Sequence, residues 1–118
     1  MKIIWIVITL VLLASCSRDD EGLLYTEMEH HENGQLQQKI NKKDGKRHGL
    51  TKVYFENGQL RETQNWRGGQ LQGVVVSYYK SGKLQQKLKY KDTKLNGLKL
   101  QYYENGNLKL ESMYKDDK

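Results

Sequence analysis

Seven glycines recur at a fixed step in this chain: Gly34, Gly58, Gly82 and Gly106 stand 24 residues apart, and so do Gly49, Gly73 and Gly97. Leu36, Leu60, Leu84 and Leu108 keep the same step, as do Tyr54, Tyr78 and Tyr102, and then Trp66, Tyr90 and Tyr114. A drift-free period of this size means stacked copies of one supersecondary unit, none of which buries its apolar residues alone. Four copies fill residues 24–118, divided at about 24–49, 50–73, 74–97 and 98–118.

Two turn signals about half a period apart punctuate each copy, and the residues of both glycine series are expected to serve structural turns. Between the turns the apolar residues alternate: Leu98, Leu100 and Tyr102 with Lys99, Gln101 and Tyr103, then Leu108 and Leu110 with Lys109 and Glu111. Period-2 alternation bounded by Asn-Gly predicts strand–turn–strand. Four such hairpins make an all-β, single-layer antiparallel meander of about eight strands. At Glu56-Asn57-Gly58 a two-residue loop would pair Phe55 with Leu60, whereas a type I turn closed by a left-handed Gly58 pairs Tyr54 with Leu60. The second register gathers Leu50, Tyr54, Leu60 and Trp66 on one face, and in the third copy Val74, Val76, Tyr78, Leu84, Leu88 and Tyr90. Register follows burial, so the bulged turn is expected. Arg61, Lys87, Lys89 and Lys109 then fall on the opposite face as solvating charge.

The pattern carried by Gly97-Leu98, Tyr102-Tyr103-Glu104-Asn105-Gly106 and Leu108, repeated with little change over residues 50–73, resembles the bacterial variant of the MORN (membrane occupation and recognition nexus) repeat. The resemblance covers about four-fifths of the chain and implies an elongated, twisted single-layer sheet. Three positions depart from it. His30-His31 stands where other copies carry two aromatic residues, Thr93 replaces the glycine of the second turn, and the fourth copy ends in the charged run Lys115-Asp116-Asp117-Lys118, read as an edge cap.

Residues 1–23 obey another logic. Lys2 precedes an apolar run, Ile3 to Ala14, too short for the ~20 residues of a spanning helix but suited to the helical hydrophobic core of a signal peptide. It ends in Leu13-Ala14-Ser15-Cys16, which resembles the bacterial lipobox. That resemblance implies cleavage after residue 15, diacylglycerol and then an N-acyl chain on Cys16, and a membrane held through those lipids. Residues 16–23 become an acylated, polar tether. Ser17 fits outer-membrane sorting in a Gram-negative cell, facing the periplasm or the surface. Cys16 is the only cysteine, so neither an intramolecular disulfide nor a cysteine metal cluster can form. Without residues 1–15 the chain keeps 19 basic and 14 acidic side chains, +5, with the lysines dispersed. An exported protein so charged is a poor nucleic-acid binder.

No catalytic constellation emerges. His30 and His31 are neighbours on a strand and point to opposite faces, so one metal ion cannot take both. Glu56 and Glu104 recur because their turn recurs, with no nucleophile or base beside them, whereas catalysis needs an asymmetric cluster of perturbed groups. No enzyme, no metal and no cofactor beyond the covalent lipid are expected. What is left for function is the aromatic set Tyr54, Trp66, Tyr78, Tyr90, Tyr102 and Tyr114. On a sheet without a second layer these rings form the expected binding surface for an envelope protein or glycan. Two alternatives follow from the family resemblance: an immunity partner that neutralises a toxin, and direct contact with phospholipid.

Overall fold

The computed structural model describes residues 11–12 and 22–118. The strands are β1 (Val11–Leu12), β2 (Leu24–His30), β3 (Leu36–Lys43), β4 (Lys46–Tyr54), β5 (Leu60–Arg67), β6 (Gln70–Leu71), β7 (Gly73–Tyr78), β8 (Leu84–Lys91), β9 (Lys94–Tyr102) and β10 (Leu108–Tyr114). They form one antiparallel sheet in chain order, with the two-residue β6 beside β5 and off the main path. No helix occurs among the described residues. The eight longer strands are the expected meander. The signal peptide lies outside the described residues except for Val11–Leu12, which are extended rather than helical and pair with Thr26 and Tyr25 of β2.

The Asn-Gly turn has the expected geometry. Gly58 N–H donates to the Phe55 carbonyl at 3.0 Å, Phe55 N–H donates to the Gln59 carbonyl at 2.8 Å, and Tyr54 pairs with Leu60. Gly58 sits at φ +86°, where a side chain would be strained. The Asn57 side chain accepts from Gln59 N–H at 3.0 Å, closing an Asx turn that Asn33 and Asn105 repeat.

The second turn is not where the second glycine series stands. It is made by consecutive left-handed pairs, Asp44-Gly45, Gly68-Gly69, Asp92-Thr93 and Asp116-Asp117, the two-residue hairpin in which both central residues take positive φ. Gly49 and Gly97 lie inside β4 and β9, and Gly73 heads β7. All three have positive φ, and the ladder shifts across Gly49 and Gly97. They are irregularities within strands rather than the turn residues expected.

A second bulge overturns the single apolar face. Tyr54 pairs with Leu60, but Val53 pairs with Glu62, leaving Arg61 as an extra residue. The same skip occurs at Gln37, Gln85 and Lys109. One extra residue reverses every later side chain on that strand. Leu50, Tyr54 and Leu60 share face one, whereas Trp66, paired with Gly49, points to face two. Leu88 and Tyr90 likewise join Val75 on face two, away from Val74, Val76, Tyr78 and Leu84. Lys87 and Lys89 move the other way, onto face one with Leu100 and Val74.

Side-chain contacts obey this assignment. Thr26 donates to Asn41 at 2.9 Å on face one. On face two Ser77 donates to Glu62 at 3.1 Å, Trp66 Nε1 donates to Gln64 at 2.9 Å, and Lys42 pairs with Glu27 at 2.7 Å. The thin core also lies on face two: Ile40, Thr51, Val75 and Ser77 are the buried residues among those described.

Candidate functional site

Each face carries a different chemistry because the bulge sorts the residues. On face one, the first strand of each hairpin supplies the apolar groups and the second supplies cations. Leu50, Val74 and Leu98 form an aliphatic row one repeat apart, 37%, 40% and 36% exposed. Nearer the Asn-Gly turns, half-buried Tyr54, Tyr78 and Tyr102 pair with Leu60, Leu84 and Leu108. Around them stand Lys39, Lys52, Lys87 and Lys89, placed by their pairing with Met28, Thr63, Leu100 and Val74. Toward the second turns Lys43, Lys46, Arg67, Lys91 and Lys94 lie on the same face. The one carboxylate among them is Glu111, opposite Leu100.

Face two is mixed. Lys42, Arg47 and Lys99 are accompanied by Glu27, Glu29 and Glu62. The bulge residues Arg61 and Lys109 lean over Phe55 and Tyr103, at 5.8 Å and 5.6 Å from the ring centres. Arg47 covers Trp66 at 5.1 Å, and Lys99 lies 5.9 Å from the Tyr114 ring. These cations occupy the rings' faces that a ligand would otherwise use. The Tyr90 hydroxyl is pushed above its ordinary 10.0 by burial, and by the carboxylates of Glu62 and Asp117.

The six aromatic residues expected to form one binding surface therefore fall into two sets. Tyr54, Tyr78 and Tyr102 come together on face one, and Trp66, Tyr90 and Tyr114 on face two. A second row of rings stands at the turns, Phe55, Tyr79 and Tyr103, and side chains of this row tie copies together. Tyr79 Oη donates to the Tyr102 carbonyl of the next copy at 2.7 Å, and His31 Nε2 donates to the Tyr54 carbonyl at 3.0 Å. His31 thus replaces an aromatic ring by keeping its hydrogen bond. His30 pairs with Leu36 on face one, and its buried Nδ1 has no partner among the described residues. Glu56 and Glu104 stay at separate turn tips. No group of three His, Cys, Asp or Glu that could hold a metal exists among the described residues.

Shallow depressions mark both faces. On face one, a hollow of about 180 Å³ is lined by Lys39, Asn41, Leu50, Lys52 and Tyr54. Another of about 390 Å³ lies between Leu84, Tyr102 and the 105–106 turn. On face two a cleft of about 460 Å³ runs along Phe55, Arg61, Ser77 and Tyr79. None encloses a set of groups poised for proton transfer or nucleophilic attack.

The family profile described as MORN repeat variant matches residues 26–44, 47–67, 71–92 and 95–116, together more than half of the chain. From the second copy on, the matched segments open at 47, 71 and 95, three residues ahead of the boundaries at 50, 74 and 98 read from the apolar positions. No curated protein and no solved structure matches the chain.

Proposed function

The chain belongs to the MORN repeat family in its variant form, and from that premise we propose a non-catalytic binding scaffold, held at a bacterial envelope membrane by lipid on Cys16. Repeats of this family are often binding modules and generally not enzymes. The observation that supports the reading most is face one: an aliphatic and tyrosine array repeated along the sheet, with no second layer over it among the described residues. The partner is an envelope protein or glycan, and immunity against a toxin is the special case in which that protein is the toxin.

Two experiments separate the anchor from the binding. Globomycin should make an uncleaved precursor accumulate, and Cys16→Ser should abolish that response; processing indifferent to both removes the lipid anchor. Deleting the gene should release an envelope component that co-fractionates with the lipidated protein. A component whose location is unchanged by the deletion removes the scaffold.

A further inference from the structure

We infer that face one docks an acidic protein surface bearing apolar ridges. This rests on the scaffold reading and names its partner. The row Leu50, Val74 and Leu98 repeats every second strand, so its members lie roughly 10 Å apart. Each is exposed by more than a third. Lysines stand beside the row: Lys52 next to Leu50 in the hollow of about 180 Å³ that also holds Lys39, and Lys87 and Lys89 on the strand between Val74 and Leu98. Among the described residues, nine cations and one carboxylate lie on this face and set a field that draws anions, whereas face two balances its charges more closely and caps its rings with its own cations.

Charge and shape together choose among occupants. A second copy presenting the same face would bring like charges together, which costs several kcal/mol at an interface. An acidic glycan would meet the lysines and stack on Tyr54, Tyr78 and Tyr102, but it would leave the aliphatic row Leu50, Val74 and Leu98 uncovered. A bilayer would need the apolar groups to sink about 5–10 Å past the headgroups, and here they are shorter than the lysines around them. A folded protein can supply carboxylates at lysine height and apolar side chains that reach down to the row between them.

The test uses the full-length lipidated protein in its own cells, with a photo-crosslinking amino acid at Leu98 on face one or at its neighbour Lys99 on face two. Leu98 should yield an adduct with a protein, and the crosslinked peptide should carry Asp or Glu interleaved with apolar residues. Lys87→Glu with Lys89→Glu should lower that adduct about tenfold, and changing the partner's crosslink-flanking carboxylates to Lys should restore it. Restoration also shows that the doubly substituted sheet is folded. A protein adduct from Lys99 alone, or one from Leu98 that ignores charge reversal, overturns the inference while the scaffold stands. An adduct of Leu98 with lipid or glycan also overturns it. No adduct with a protein or glycan at either position removes the scaffold reading itself.

Discussion

Alanine at Gly97 tests whether the in-strand glycines answer to steric contact as well as to backbone conformation. Gly97 sits at φ +117°, and an added Cβ would lie 2.9 Å from Lys89 Cδ and 3.3 Å from Lys89 Cβ. Gly106 is the control: at φ +90°, nothing lies within 4 Å of its added Cβ. Gly106→Ala should therefore cost the left-handed conformation alone, about 1–2 kcal/mol. Gly97→Ala adds overpacking against a neighbouring strand, about 1–3 kcal/mol more, for a total of roughly 2–5 kcal/mol. Gly73, in the same place one repeat earlier, meets only Asn65 Cβ at 3.9 Å, so Gly73→Ala should behave like Gly106→Ala. The clash can be relieved in part. Lys89→Ala removes Cδ but leaves Cβ, so the double variant should recover at least about 0.5 kcal/mol relative to additivity. Thermal unfolding of the chain followed by circular dichroism reads the series, since 1 kcal/mol moves Tm by roughly 4–8 °C in a domain near 100 residues. If Gly97→Ala costs no more than Gly73→Ala, or Lys89→Ala recovers nothing, the contact with Lys89 does not constrain Gly97 and the steric reasoning fails.

Three further outcomes are expected. Thr93 holds φ 69° with a branched Cβ while its hydroxyl accepts from Leu71 N–H at 3.2 Å, and Asp117 makes the same bond to Leu95 at the same φ; Thr93→Asn keeps an acceptor and should raise stability by about 1 kcal/mol in urea titration. Thr51 is fully buried and its hydroxyl has no partner among the described residues; the near-isosteric Thr51→Val should gain about 1–2 kcal/mol, and a loss would mean that the hydroxyl is bonded in solution. The Tyr90 hydroxyl, raised above 10.0 by burial and then by Glu62 and Asp117, should make stability fall with alkali. The unfolded tyrosine loses its proton first, so the stability present below pH 10 declines as pH rises toward the folded value. Tyr90→Phe should flatten that decline, and an unchanged slope would assign it to other groups.

The repeat, the strand count and the Asn-Gly turn were legible because each rests on a local rule. A left-handed glycine after Asn, and Tyr opposite Leu, recur with nothing to contradict them in four copies. Thr93 marks the second turn where the structure has it, but Gly49, Gly73 and Gly97 read as turn residues too, because they advertise positive φ equally well in a turn or in a strand bulge. The bulge at Gln37, Arg61, Gln85 and Lys109 leaves no such trace. Those side chains are ordinary, and Leu60 and Trp66 keep the same parity in sequence while facing opposite ways in the sheet. A signal was present, however. Val74-Val75-Val76 is apolar without alternation, as a strand used on both faces must be, and Thr51 and Val75 prove to be buried on the face opposite Leu50 and Val74.

That hidden bulge has a physical consequence for a sheet with no second layer among the described residues. If parity ran unbroken from turn to turn, Tyr54, Leu60, Trp66 and their repeats would form one continuous apolar face. Soluble monomers rarely expose contiguous apolar patches above a few hundred Å², and eight strands of such a face would exceed that. The extra residue in each second strand divides the load. Trp66, Tyr90 and Tyr114 turn to face two, where Arg47 and Lys99 lie over two of the rings and where Ile40 and Val75 find burial. Face one keeps the tyrosines and the aliphatic row but receives Lys87 and Lys89 in exchange. Its apolar groups are thereby separated by charge, sparse enough for water and regular enough for a partner of opposite sign. Deleting Arg61, Gln85 and Lys109 together would restore parity and bring Trp66, Tyr90 and Tyr114 onto face one. Such a chain should aggregate at concentrations where the natural one stays monomeric in light scattering; equal solubility would show that the bulge serves only the twist of the hairpins.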